Sequence, residues 1–174
     1  MAKPAQMFDH ELNPVKGWPS PYGVDKAATL SADETEAVLG GSVMSLDVEG
    51  EFRLGLYVDA MPIFALQNST DFDVVSDDGG MVGNADGTAK MSGLVAVGSY
   101  ELESTEYDSL LTFNPNDALT SPVPGAADAG LLTAGVPYTD TICGVVSAPG
   151  PVANERQVDV LRFWPVWLPI LGRN

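Results

Sequence analysis

Carboxylates are the most numerous groups in this sequence that could do chemistry, with 24 Asp+Glu against 8 Lys+Arg. Glu101, Glu103 and Glu106 lie close together, and the first two share one face of any strand that carries them. Two carboxyls held at a fixed separation across an aromatic-lined cleft can hydrolyse a glycosidic bond. Nothing near these three marks a cleft, so a charged strand face is the favoured reading. Asp71-Phe72-Asp73, followed by Asp77 and Asp78, spaces oxygen ligands as a calcium loop begins. The pattern departs from an EF-hand at Val75, at Ser76 where glycine is required, and at Val82. The acidic loop 71–86 is therefore read as solvated, with a non-EF calcium site as the competing reading.

Nucleophiles are scarcer still. Ser42, Ser92 and Ser99 each lie near a glycine, but none stands in G-x-S-x-G. His10 is the only imidazole, so any Ser-His or Cys-His pair must draw on the N-terminal stretch. Cys143 sits in an apolar run, where a free thiol behaves as a small inert hydrophobe. Gly83 to Lys90 lacks the Gly-Lys-Ser/Thr end of a phosphate-binding loop, and G-x-G-x-x-G does not occur. One Cys and one His leave no disulfide framework, zinc ribbon or histidine metal site. The expectation is a chain with no catalytic residue, no cofactor and no metal, hence not an enzyme.

Composition narrows the partners. A formal net charge of −16 repels nucleic acid and anionic lipid alike. No run of 18 apolar residues suits a membrane span, and MAKPAQMFDHELNP has no apolar centre for a signal peptide. With 174 residues and 45% hydrophobic residues there is material for one well-buried domain. Eighteen Gly and 13 Pro argue for many turns and against long helices.

The elements that must position these groups follow from periodicity. Ser31 with Glu34 three later fits a capping box, and Gly40-Gly41 would close a helix of at most two turns over 31–39; the imperfect alternation of Thr35, Ala37 and Leu39 with Glu34, Glu36 and Val38 fits a polar strand equally. From Gly41 the period becomes two. Val43, Leu46 and Val48 lead into a Glu49-Gly50 turn, and Phe52, Leu54, Leu56 and Val58 alternate on the return, a hairpin pattern. Further strands are expected at 62–66, at 93–103 as one continuous element, at 110–113, at 142–147 and at 157–168. Residues 68–92 read as loop, and 118–141, rich in Pro, Gly and Ala, as weak strand at most. The fold class expected is all-β: an antiparallel sandwich or barrel-like body over 29–174.

Residues 1–28 are read as an extended arm, broken by Pro4, Pro14, Pro19 and Pro21. The arm carries Phe8, Leu12, Trp18 and Tyr22, more large apolar groups than a free linker needs. It must lie on something, its own body or a neighbour. The C-terminal run Arg162 to Leu171 is unusual for a chain end and holds two of the three Trp. Trp164 and Trp167 cannot share one face of a regular strand, so one is expected inward and one toward a neighbour. The interface candidates are Phe8, Leu12, Trp18, Tyr22, Phe163, Trp164, Trp167 and Leu168.

Three stretches carry a family resemblance. They are Gly41 to Asp47 with Gly50-Glu51-Phe52; Gly93 to Ala96 running through Tyr100 to Glu103 to Asn114-Pro115-Asn116-Asp117-Ala118-Leu119; and Cys143 to Ser147 with Val160 to Trp164. In pattern and order the sequence resembles the capsid decoration, or head cement, proteins of tailed bacteriophages. The resemblance implies a β-rich body, a homotrimer, the major capsid protein as partner, and a place on the capsid exterior of the virion. The long Pro-rich arm departs from the smallest members, and it is what clamping adjacent subunits would use. A β-sandwich that binds carbohydrate or calcium is the alternative.

Overall fold

A computed structural model describes residues 12–16, 25–34, 37–66, 68–69, 91–95, 100–154 and 156–170. The described residues contain no helix and twelve strands. These are β1 (Leu12–Lys16), β2 (Asp25–Ala28), β3 (Val43–Leu46), β4 (Phe52–Leu54), β5 (Ile63–Ala65), β6 (Met91–Val95), β7 (Glu101–Ser104), β8 (Ala118–Thr120), β9 (Thr133–Ala134), β10 (Ile142–Val146), β11 (Val152–Ala153) and β12 (Asp159–Leu168). They form two antiparallel sheets. The first runs β1-β7-β12-β10-β8-β9, with β11 also paired to β12, and the second runs β2-β6-β5-β3-β4.

The two sheets share a core. Val43, Phe64 and Leu94 of the second sheet meet Leu102, Leu119, Cys143, Leu161 and Phe163 of the first in one buried cluster. The rings of Phe64 and Phe163 lie 5.3 Å apart, tilted at 42°, a favourable geometry for an aromatic pair. The strand period does the sorting. In β5, Phe64 enters this core while Ile63 and Ala65 enter a second cluster with Met44, Phe52 and Met91. The second sheet is therefore apolar on both faces.

Its outer face is covered by the segment from Thr29 to Ser42, which lays Leu30 and Val38 on the second cluster. Backbone groups of this segment bond to Phe52 O, Ser69 Oγ and Asn68 Oδ1. On this face of β6, a Cβ at Gly93 would sit 2.4 Å from Ile63 Cγ2 of the adjacent β5, so glycine leaves the room that the side chains of Ile63, Met44 and Phe52 fill. Among the described residues, 31–39 form neither the short helix nor the polar strand. Ser31 and Glu34 instead form a turn, and Glu34 Oε2 accepts from Leu54 N at 3.0 Å. The side chain that would have capped a helix tethers this segment to β4.

Other elements differ from expectation in instructive ways. The hairpin forms as expected, with Asp47 N donating to Glu51 O and Gly50 at φ +81°. The run expected as one strand over 93–103 supplies β6 to the second sheet and β7 to the first. Leu94 and Leu102 thus reach the same core from opposite sides. Residues 110–113 form no strand. Phe113 is buried, meets Gly150 in an isolated bridge, and receives Tyr107 edge-on at 6.4 Å. Within the stretch 1–28, β1 pairs with β7 and β2 with β6. The described parts of the expected arm are thus edge strands of the body, one on each sheet.

Candidate functional site

One end of the first sheet gathers exposed apolar side chains. The strand registers bring the 121–132 and 135–141 loops to the same end as the close of β12, because β8 and β12 both run antiparallel to β10. The loop after β4 joins them: Leu56 N donates to Pro122 O at 3.0 Å, and Gly55, at φ +97°, lies against Pro122 and Pro124 so closely that a Cβ would strike the Pro122 carbonyl. Asp59 ties the rest together. Its backbone N–H donates a hydrogen bond to Thr141 Oγ1 at 2.8 Å, and its Oδ1 accepts from Ile170 N at 2.6 Å. Between these loops lies a shallow groove of about 190 Å³, lined by Leu56, Val58, Pro122, Val123, Asp140 and Ile170 among others.

Of the lining residues Val58 and Val123 are exposed; Val136 and Tyr138, in the same turn as the lining Thr139 and Asp140, and Leu168, two residues before the lining Ile170, are exposed as well, Tyr138 by 78%. The 136–140 turn is closed by its own bonds: Thr139 N and Asp140 N donate to Val136 O, and Val136 N donates to Asp140 Oδ2. That closure holds Tyr138 at φ +70°. Asp59 also stands at positive φ, 61°. Aspartate visits this region readily, but for a bulky residue such as tyrosine it is uncommon and costs energy. The described residues lining the groove include one acid, Asp140, and no base.

The carboxylates have a different fate. On β7, Leu102 and Ser104 face the shared core, while Glu101 and Glu103 alternate with them onto the outer face, yet both are buried. Each has fixed partners. Ser147 Oγ donates to Glu101 Oε1. Arg162 Nε and Asn154 Nδ2 donate to the two oxygens of Glu103, each at 3.3 Å. Glu106 is also buried, and Thr105 Oγ1 donates to it at 3.1 Å. Satisfied carboxylates without an open cleft between them suit structural bonding. No group of three or more His, Cys, Asp or Glu that could hold a metal occurs among the described residues. The loop 71–86 lies outside them.

A larger groove of about 590 Å³ opens beside the β3–β4 hairpin, lined by Asp33, Asp47, Glu49, Glu51, Arg53 and Tyr57 among others. Most of these charges already serve the fold. Asp47 Oδ1 accepts from Glu49 N and Glu51 N, and Arg53 pairs with Asp33 at 3.3 Å and lies 3.7 Å from Glu34.

The interface candidates separate into groups. Phe8, Trp18 and Tyr22 lie outside the described residues. Leu12, on β1, packs half-buried against the shared core. Phe163 is fully buried in that core, which corrects its reading as a contact residue: its pairing with Leu102 places it on the inner face of β12. Trp164 is half-buried opposite Val145 on the other face. Between Pro165 and Leu168 the strand carries one residue more than β10 opposite, a bulge, and Trp167 stands in it half-buried. Neither Trp is fully inward and neither is fully exposed. Leu168, 52% exposed, is the candidate that reaches the apolar end. Val123, Val136 and Tyr138 were not among the candidates, although the sequence marks them: Pro122-Val123-Pro124 and Val136-Pro137-Tyr138 set apolar residues in proline-stiffened loops.

Cys143 is buried, and its Sγ lies 3.4 Å from Leu119 O. Burial pushes its thiol up to about 12, so it is not a nucleophile at neutral pH. No helix among the described residues is long and apolar enough to cross a membrane. Compared with protein-family models, curated proteins and solved structures, the chain matches none.

Proposed function

We propose that this chain is a structural virion protein that binds the outer surface of a tailed-phage capsid and stabilises the head. The observation that carries this reading is the stiff, apolar loop end on an otherwise strongly acidic body. Apolar side chains left exposed to water at one end serve adhesion and nothing internal to the fold. On a shell, a contact of modest strength is repeated at every lattice position, and a protein that bridges subunits gains by linking them. The partner in this reading is the major capsid protein, and the protein acts as a homotrimer. Its net charge of −16 keeps free copies apart in solution and suits a role outside the shell, away from the genome.

The test is to mix the purified protein with emptied shells of the major capsid protein encoded in the same genome, sediment the shells, and heat them. Co-sedimentation at saturable stoichiometry, together with a raised shell disruption temperature, is the expected result. A protein that stays in the supernatant at every concentration sinks the reading.

A second reading, a carbohydrate-binding module, is favoured by the groove at the β3–β4 hairpin. Tyr57 stands there beside Asp47, Glu49 and Glu51. A ring with carboxylates at its side can stack on a sugar and accept its hydroxyl hydrogens. Glycan-array binding that is lost in Tyr57→Ala would establish it.

A further inference from the structure

We infer that the Pro-rich end of the first sheet is the seat of attachment, and that it takes a partner protein surface offering apolar contacts within a basic rim. The inference rests on the attachment reading above and specifies its chemistry.

Three observations lead there. First, the apolar groups at this end are held rigidly. Val123 stands between Pro122 and Pro124, Pro137 separates Val136 from Tyr138, and Leu168 precedes Pro169. Proline restricts the backbone before any partner arrives, so less conformational entropy is lost on binding. The hydrogen bonds of Asp59 to Thr141 and Ile170 brace the same loops from beneath.

Second, Tyr138 is held at positive φ while its side chain is 78% exposed. The ring contributes little burial to this fold, so the backbone cost has no evident return inside the molecule. Backbone strain of this kind clusters where a side chain is aimed at a partner. Tyrosine is among the residues that anchor interfaces, since it offers a rigid apolar ring and a polar tip.

Third, charge decides the occupant. Asp59, Asp128 and Asp140 are the residues of these loops that carry charge at neutral pH, and all three are acids. No Lys or Arg occurs within 55–62, 121–132 or 135–141, and elsewhere Arg53 pairs with Asp33 and Arg162 with Glu103. Two copies meeting symmetrically through it would set these carboxylates against each other within the field of two strongly acidic bodies. A partner with lysine or arginine around an apolar patch meets no such repulsion, and its rim would complement Asp59 and Asp140.

Tyr138→Asn is the informative substitution, because asparagine tolerates the left-handed backbone and removes only the ring. Val48→Asn is the control, since Val48 is an exposed apolar residue at a different turn. Attachment to shells of the major capsid protein is measured for both variants and the unaltered chain, at low and at high salt. The expected result is a loss of affinity of roughly tenfold or more for Tyr138→Asn, none for Val48→Asn, an unfolding midpoint lowered in neither, and weaker attachment of the unaltered chain at high salt. Equal attachment of all three proteins overturns the inference and leaves the attachment reading standing. Failure of the unaltered chain to attach overturns both. If light scattering shows self-association lost in Tyr138→Asn while shell binding persists, the seat is for a second copy and the inference fails.

Discussion

The outer face of β7 and β12 buries carboxylates, whereas the Pro-rich end of the same sheet exposes valines and a tyrosine. Both regions depart from the usual partition of polar and apolar groups, and in opposite directions. On the strand face, alternation sends Glu101 and Glu103 outward, and Arg162, Asn154 and Ser147 converge on them. A buried carboxylate with its bonds satisfied is held in place and has little freedom to act on anything else. At the loop end, prolines and a closed turn keep apolar groups from folding back onto the body. On the strand face Glu101 and Glu103 are thus tied into the fold, while at the loop end apolar groups stay uncovered.

That contrast is breakable by experiment. The largest effect is expected beneath β12. Phe163→Ala removes a ring from the shared core and should cost about 3–5 kcal/mol in denaturant unfolding, since Phe64 packs on it at 5.3 Å. A loss below about 1 kcal/mol would return Phe163 to the surface and undo the division between core and contact face.

Alkaline pH probes the same core from another side. Cys143 is held protonated up to about 12 by burial, against an ordinary value of 9.0. The unfolded thiol therefore loses its proton first, and the folded state keeps a proton that the unfolded state has released. The contribution is complete below pH 9 and declines as pH rises from there toward 12. Burial, with Asp159 as a smaller cause, raises Tyr107 in the same sense. Denaturation midpoints measured across this range should fall less in Cys143→Ala than in the unaltered chain. An identical slope in both proteins would show that the thiol is not buried.

Glu103→Ala should cost about 1–2 kcal/mol, less than loss of a fully buried pair because the Arg162 side chain is 31% exposed. It should leave shell attachment unchanged. If attachment falls while stability holds, the strand face is a contact surface and the comparison collapses. The smallest effect on folding is expected at the loop end, where Val58→Asn with Val123→Asn should shift stability by no more than about 0.5 kcal/mol. Attachment should nonetheless weaken, and a large unfolding shift in this double variant would mean that these valines hold the fold together.

Much of the architecture was legible because alternation is a local property. The β3–β4 hairpin, β5, β10 and β12 all lie where period-two patterning and the Glu49-Gly50 turn place them. Glu34 misled because a capping box and a tether need the same carboxylate, and only the nearness of Leu54 N decides which forms. The single strand expected over 93–103 misled because Leu94 and Leu102 look alike locally, although they serve opposite sheets. Leu12 and Phe163 looked adhesive because large apolar groups near a terminus do not reveal which sheet face they occupy.

What the chain alone determined was the class: alternating apolar residues, abundant turn formers and a strong acidic excess, which together require β-layers with a solvated, negatively charged exterior. What only tertiary structure decided was which apolar groups remain outside. Val58, Val123, the Val136–Tyr138 turn and Leu168 come from four separate segments, and although prolines flank several of them, no local pattern brings them to one end. Burial depends on whether another layer arrives to cover a side chain, and that is settled by the pairing of strands distant along the chain. At this end the strands stop and the prolines turn the chain away before any layer can cover them.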